Sequence, residues 1–178
     1  MSTIAVVYKS KYGSTERYAR WIAEKAGADL FSAGQITIDA LLAYDTIVYG
    51  GGLHAGGIFG FSFIKKNYHR LKDKRLVVFA VGATLKKEDA VAELKRINLT
   101  PEMQETTAFY LLRGGLDYKR MNALDRFLMY LQVCRLKSMN PDTLNDDSKG
   151  VIATYGKVVD FTREEAVEPI VQYVTGLL

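Results

Sequence analysis

The sequence predicts an α/β domain built on a doubly wound, five-stranded parallel sheet with helices on both faces. Three observations carry this reading. The strong apolar runs are continuous rather than alternating, as in strands covered on both sides; stretches of helical spacing lie between them; and loops of small residues follow the first, third and fourth runs. In such sheets ligands gather beyond the carboxyl ends of the strands, where the strand order switches, so those three loops are where chemistry is expected.

The first strand is read over residues 3–8. It gives way to KSKYGST (residues 9–15) and then to a helix over residues 14–25, in which Tyr18, Ile22 and Ala26 fall four apart. A helix start carries unpaired amides and a partial positive charge, and so receives an anion. Ser10, Ser14 and Thr15 add hydroxyls and Gly13 allows close approach, which fits a phosphate monoester. The plainer alternative is that Ser14 simply caps the helix. A P-loop would need a second glycine and a following lysine that this register lacks. A phosphoacceptor receiver domain would need acids where Tyr8-Lys9-Ser10 and Tyr49-Gly50 stand.

A weak strand over residues 28–31 precedes the third, residues 46–49. The run GGGLHAGG (residues 50–57) then places five glycines in eight positions. Such a run costs entropy on folding, and we read it as a loop whose backbone lets a flat ligand lie against it, with a flexible linker as the alternative. Gly50-x-Gly52-x-x-Ala55 formally matches a dinucleotide fingerprint, yet it follows the third strand rather than the first. A helix over residues 59–71 leads to the fourth strand, residues 75–81, which ends in the small-residue loop of residues 80–84. Another helix, residues 87–97, leads to the last strand, residues 107–112. Residues 140–150 read as a polar loop. A helix over residues 163–178 closes the sheet, and Pro169 is expected to end it early or kink it.

Composition narrows the function. With 178 residues, 48% apolar and 25% charged, one domain is expected. No apolar stretch is long enough to span a bilayer and no basic segment precedes an apolar one at the N-terminus, so a cytoplasmic protein is expected. The net charge of +4 comes without a recognition module, which argues against nucleic acid. Two scattered histidines and one cysteine form no metal-ligand set; His69 belongs to a basic helix surface, and Cys134, among apolar residues, reads as a buried, inert thiol.

Residues 113–140, RGGLDYKRMNALDRFLMYLQVCRLKSMN, form a basic segment after the last strand. Met121, Leu124, Leu128, Leu131 and Met139 follow helical spacing, widened by Phe127, Cys134 and Leu136, while Lys119, Arg120, Arg126, Arg135 and Lys137 take other faces. Such a helix can dock on the sheet, lie on an anionic membrane or cover an apolar substrate.

Taken together, Ser10-Lys-Tyr-Gly-Ser-Thr15 after the first strand, the glycine-rich run after the third and Gly82-Ala83-Thr84 after the fourth resemble the flavodoxin family. The resemblance implies a flavodoxin-like fold that binds FMN. Ser10, Lys11, Tyr12, Gly13, Ser14 and Thr15 would hold its phosphate, and Gly52, Leu53, His54, Ala55, Gly82, Ala83 and Thr84 its ring. Tyr12 stands where that family usually has a small hydroxyl-bearing residue, and only Leu53 and His54 stand where it commonly has a stacking aromatic.

Leu124-Asp-Arg-Phe-Leu-Met129, followed by a polar loop and a terminal helix, is similar to the insertion of the flavodoxin-like protoporphyrinogen oxidases, here residues 113–147. That similarity implies an FMN-dependent oxidoreductase of heme biosynthesis that oxidises protoporphyrinogen IX or reduces a quinone, with Arg113, Arg120 and Arg126 meeting a carboxylated substrate and a peripheral contact with the membrane. The alternative is an electron-transfer flavodoxin serving a redox partner protein. A shuttle of that kind docks through an acidic surface, whereas this chain is basic. No acid–base dyad is required, because the flavin carries the redox chemistry.

Overall fold

The computed structural model describes residues 3–54, 56–83, 88–144 and 146–176. The chain begins with β1 (Ile4–Lys9), α1 (Ser14–Ala26), β2 (Asp29–Ser32) and the single turn α2 (Ile38–Leu41). It continues through β3 (Thr46–His54), β4 (Gly57–Ile58), α3 (Ser62–Lys65), α4 (Tyr68–Leu71) and β5 (Arg75–Gly82). Then come α5 (Glu88–Asn98), α6 (Pro101–Thr106) and β6 (Ala108–Arg113). The last part holds β7 (Leu116–Asp117), α7 (Ala123–Lys137), α8 (Asp146–Thr154), β8 (Val158–Val159) and α9 (Glu168–Thr175).

Five strands pair in parallel in the order β2-β1-β3-β5-β6, with β4 antiparallel to β3. This is the doubly wound order in which the chain reverses direction across the sheet between β1 and β3. Successive side chains point to opposite faces, and both faces are covered. Ala5, Val7, Ile47, Tyr49 and Val78 pack on one side with Leu41, Ile64 and Leu71 of the short helices. Ile4, Val6, Val48, Val77 and Phe79 pack on the other with Tyr18 and Ile22 of α1 and Ile170 and Val174 of α9. Burial on both sides explains why the strands read as unbroken apolar runs.

Several elements differ from the sequence expectation. The third strand does not stop at Tyr49. It continues through the glycines, with Gly50 in register with Tyr8 and Phe79, and Gly51 with Lys9 and Ala80, before turning back as β4. A Cβ on Gly50 would lie 2.0 Å from Phe79 Cζ, and one on Gly51 would lie 2.5 Å from Ile58 Cγ2 and 2.8 Å from the Phe59 carbonyl oxygen. These two glycines make room for the protein's own packing rather than for a ligand.

The helix expected over residues 59–71 is two single turns, because Asn67 leaves helical geometry (φ −110°, ψ 11°) and turns its amide to the Phe63 carbonyl at 2.9 Å. Residues 140–150 are not one loop: a 3-10 turn, Pro141–Thr143, is followed by the start of α8. At the C-terminus a 3-10 turn, Glu164–Val167, precedes α9, and Pro169 sits in the first turn of α9, where a missing N–H costs nothing. Proline opens that helix instead of ending it.

The insertion is bracketed by a two-stranded ladder in which Leu116 pairs with Val159 and Asp117 with Val158. It therefore extends past residue 147 and contributes a second helix. Only Val133 of α7 is buried, and Cys134 is exposed rather than inert in a core. Among the described residues no helix is long and apolar enough to cross a membrane.

Candidate functional site

A cavity of about 470 Å³ opens beyond the carboxyl ends of β1, β3, β5 and β6, at the switch in strand order. Its floor is the loop between β1 and α1. Gly13 stands at the N-cap of α1 with φ 97° and ψ −23°, a left-handed conformation that glycine adopts without a side-chain clash. Its N–H donates to Ser10 Oγ at 3.0 Å, which closes the loop. Ser14 does not cap the helix; its Oγ accepts the Gly115 N–H at 3.1 Å and ties the end of β6 to the loop. The first N–H bonded within the helix is that of Arg17, to the Gly13 carbonyl at 3.0 Å, so the amides of Ser14, Thr15 and Glu16 lack helix partners. Thr15 is 3% exposed and lines the cavity, and among the described residues its hydroxyl has no hydrogen-bond partner.

Lys11 and Tyr12 line the same cavity but are engaged by the insertion. Lys11 Nζ lies 2.5 Å from Asp125 Oδ2, and the Tyr12 hydroxyl donates to that same oxygen. Asp125 is in the first turn of α7, where its N–H donates to the capping Asn122 Oδ1 at 2.8 Å. One carboxylate thus fastens α7 to the floor. The hydrogen bonds from Lys11 and Tyr12 hold the Asp125 carboxyl below its ordinary 3.8, and the hydrogen bond to Asp125 raises the Lys11 ammonium above its ordinary 10.5.

The sign of the pH dependence follows. A depressed acid contributes stability above its ordinary value and loses it as pH falls through the lowered one; a raised amine contributes below its ordinary value and loses it as pH rises through the raised one. The tether therefore holds across neutral pH and releases in strong acid. Asp125→Asn is expected to speed proteolysis within residues 116–159 severalfold at pH 7 while the melting of the sheet changes little, and the natural protein should approach the variant's rate below pH 4 as the carboxyl protonates. Timed digestion read by mass spectrometry checks this.

The walls come from the other strand ends. Gly52, Leu53 and His54 of β3 face Val81 and Gly82 of β5 and the following Ala83. Leu53 rests on Gly82, where a Cβ would meet Leu53 Cδ1 at 2.8 Å. The His54 ring is held edge-to-face by Phe59, with centroids 5.4 Å apart. Gly114, Gly115 and Leu116 close the end of β6, and Met121, Leu128, Met129 and Gln132, with Val151 of α8, form a roof.

Of the residues expected from sequence, the structure brings Ser10, Lys11, Tyr12, Ser14, Thr15, Gly52, Leu53, His54, Gly82 and Ala83 to one cavity, with Gly13 shaping the floor. Ala55 and Thr84 lie outside the described residues. Arg113, Arg120 and Arg126 do not line the cavity. The Arg113 guanidinium sits over the Phe161 ring at 3.7 Å, Arg126 donates to the carbonyls of Tyr118 (3.2 Å) and Lys119 (2.6 Å), and Arg120 is exposed. Gly114 and Gly115 were legible as one more small-residue pair at a strand end. Asp125 was not, since it meets Lys11 across 114 positions.

A family model for the flavodoxin domain matches residues 5–141. No curated protein shows a significant sequence match. Among solved structures, the flavodoxin WrbA-like protein of Agrobacterium tumefaciens is 25% identical, with 61% of this chain and 76% of that one covered and a TM-score of 0.44. The two-electron reduced flavodoxin of Megasphaera elsdenii is 22% identical over 61% and 85%, with a TM-score of 0.41. A flavoprotein from Lactobacillus acidophilus in complex with FMN is 17% identical over 64% and 93%, with a TM-score of 0.41. The family match spans the strands, the phosphate-type loop and most of the cavity lining, and with the 2-1-3 strand switch on which the cavity sits it establishes that this chain belongs to the flavodoxin family.

Proposed function

We propose that the chain binds FMN in this cavity and works as a cytoplasmic flavin-dependent oxidoreductase on an apolar substrate or quinone. The observation that carries the reading is the floor: free amides at the start of α1 beside Thr15, which lines the cavity with its hydroxyl unpartnered among the described residues, a donor set suited to a phosphate dianion. When bound, FMN supplies the electron and hydride exchange. The chain's residues do the rest. Ser10 fixes the curvature of the loop, Ser14 and Thr15 offer hydroxyls, and Leu53 and Val81 give a flat ring apolar walls. Met121, Leu128 and Met129 exclude water from above, which an electron shuttle exposed to a partner protein has less need of.

Within this reading, the protoporphyrinogen oxidase type is the finer proposal. It is supported by the roof that the insertion places over the cavity, which suits a large apolar substrate. Carboxylates of such a substrate would meet Arg113, Arg120 and Arg126 only outside the cavity. The test is a titration of flavin-free protein with FMN, followed by reduction and a choice of acceptors. Saturable quenching of flavin fluorescence with turnover of protoporphyrinogen or a quinone is expected. Rapid transfer to a one-electron redox protein without such turnover would favour the shuttle, and folded protein that takes up no FMN would overturn the proposal altogether.

A further inference from the structure

One wall of the cavity is a hairpin with little of its own to hold it. β4 has only 2 residues, Gly57 and Ile58, which pair with His54 and Leu53, and the turn between the strands passes through Gly56 at φ 82°. A ladder this small is marginal by itself. Yet Leu53, His54 and Gly56 all line the cavity, so the shape of the wall depends on the hairpin staying in place. The support stands behind it. Asn98, the last residue of α5, is 7% exposed and does not line the cavity. Its Oδ1 accepts the Ile58 N–H at 2.8 Å, while its Nδ2 donates to the Gly56 carbonyl at 2.8 Å and to the Leu94 carbonyl, one turn back in α5, at 2.9 Å.

These partners call for this side chain. One N–H needs an acceptor and two carbonyls need donors, and among side chains of this length the asparagine amide supplies all three. Aspartate would set a carboxylate against two carbonyl oxygens, and leucine would leave the buried Ile58 N–H without its acceptor. The bond to Leu94 also fixes the amide on its own helix, so the hairpin is fastened to α5 rather than to a free side chain. A buried polar group satisfied on every side holds its partners in one arrangement.

We infer that Asn98 is the positioning residue of the ring-side wall. By pinning the hairpin to α5 it keeps Leu53, His54 and Gly56 in the arrangement that receives a flat ring, without itself touching the ligand. The inference rests on the flavin reading of the cavity and concerns the ring alone, since the phosphate-type floor is built from β1 and α1.

The test is a fluorescence titration of flavin-free natural protein and Asn98→Ala with FMN and with riboflavin, which carries the ring but no phosphate. Natural protein is expected to bind both. Asn98→Ala should weaken both by the same factor, about tenfold, as for a wall that keeps its binding arrangement a tenth of the time. The visible band of the bound flavin should change shape as well. Thr15→Val, on the floor, should instead weaken FMN and leave riboflavin level. A side chain that served stability alone would lower the melting temperature of Asn98→Ala and leave both affinities and the band unchanged in the folded protein, and that result would overturn the inference. Should Asn98→Ala fail to fold, hydrogen exchange in the natural protein decides. Riboflavin is then expected to slow exchange in residues 94–99 together with residues 56–59, and protection confined to the hairpin would overturn the inference. Natural protein that takes up FMN but not riboflavin would overturn it too and spare the proposed function; natural protein that takes up neither would overturn both.

Discussion

Gly50→Ala is expected to lower the stability of the protein by about 3 kcal/mol or more, a drop in melting temperature of about 10 °C. The added methyl carbon would lie 2.0 Å from Phe79 Cζ and 2.5 Å from Cε1 and Cε2, so it meets the end of the ring head-on. Neither partner can yield easily. Gly50 is in register with Tyr8 on one side and Phe79 on the other, at the centre of the parallel sheet, and the Phe79 side chain is fully buried between α1 and α9. Overpacking of this kind is relieved by removing the obstacle. The pair Gly50→Ala with Phe79→Ala should therefore be more stable than the sum of the two single losses implies. Thermal unfolding of the four proteins checks this, and simple additivity would mean that the contact does not explain the glycine.

Thr15→Val is expected to weaken FMN binding about 10- to 100-fold, the worth of one hydrogen bond to a charged group. Valine keeps the shape of threonine; Thr15 lines the cavity, and the hydroxyl that valine removes has no protein partner among the described residues. Valine removes no protein hydrogen bond from the flavin-free protein, so its melting temperature should stay level or rise. That opposite movement of binding and stability separates a ligand contact from a structural role. Gly13→Ala in the same loop gives a contrast. Nothing lies within 4 Å of a Cβ placed there, yet φ is 97°, so its cost is conformational, about 1 kcal/mol, and falls on the loop itself. Fluorescence titration together with melting curves reads both. Unchanged FMN affinity in Thr15→Val would detach this residue from the cofactor.

What could be read from the chain follows from distance along it. The strands, the helix after KSKYGST and the three small-residue strand ends are local patterns, and the parallel topology then carries them to one edge of the sheet. Where tertiary contacts decided, sequence reading failed. GGG reads as a loop by composition and is a strand in fact, because the neighbouring Phe79 and Ile58 occupy the space that side chains would take. Pro169 reads as a breaker and instead starts a helix, since its effect depends on which turn it occupies. Arg113, Arg120 and Arg126 are matched to a substrate by charge, and none of the three lines the cavity. Asp125, the residue that joins insertion to phosphate-type loop, gave no local signal at all.

The β7–β8 ladder sets the two ends of the insertion side by side, Leu116 against Val159. A segment that leaves and re-enters at adjacent points closes its own seam. It could be exchanged for a turn, or for another cap, without tearing the parallel strands beneath it, so evolution can restyle the chamber's ceiling while the nucleotide cradle stays constant.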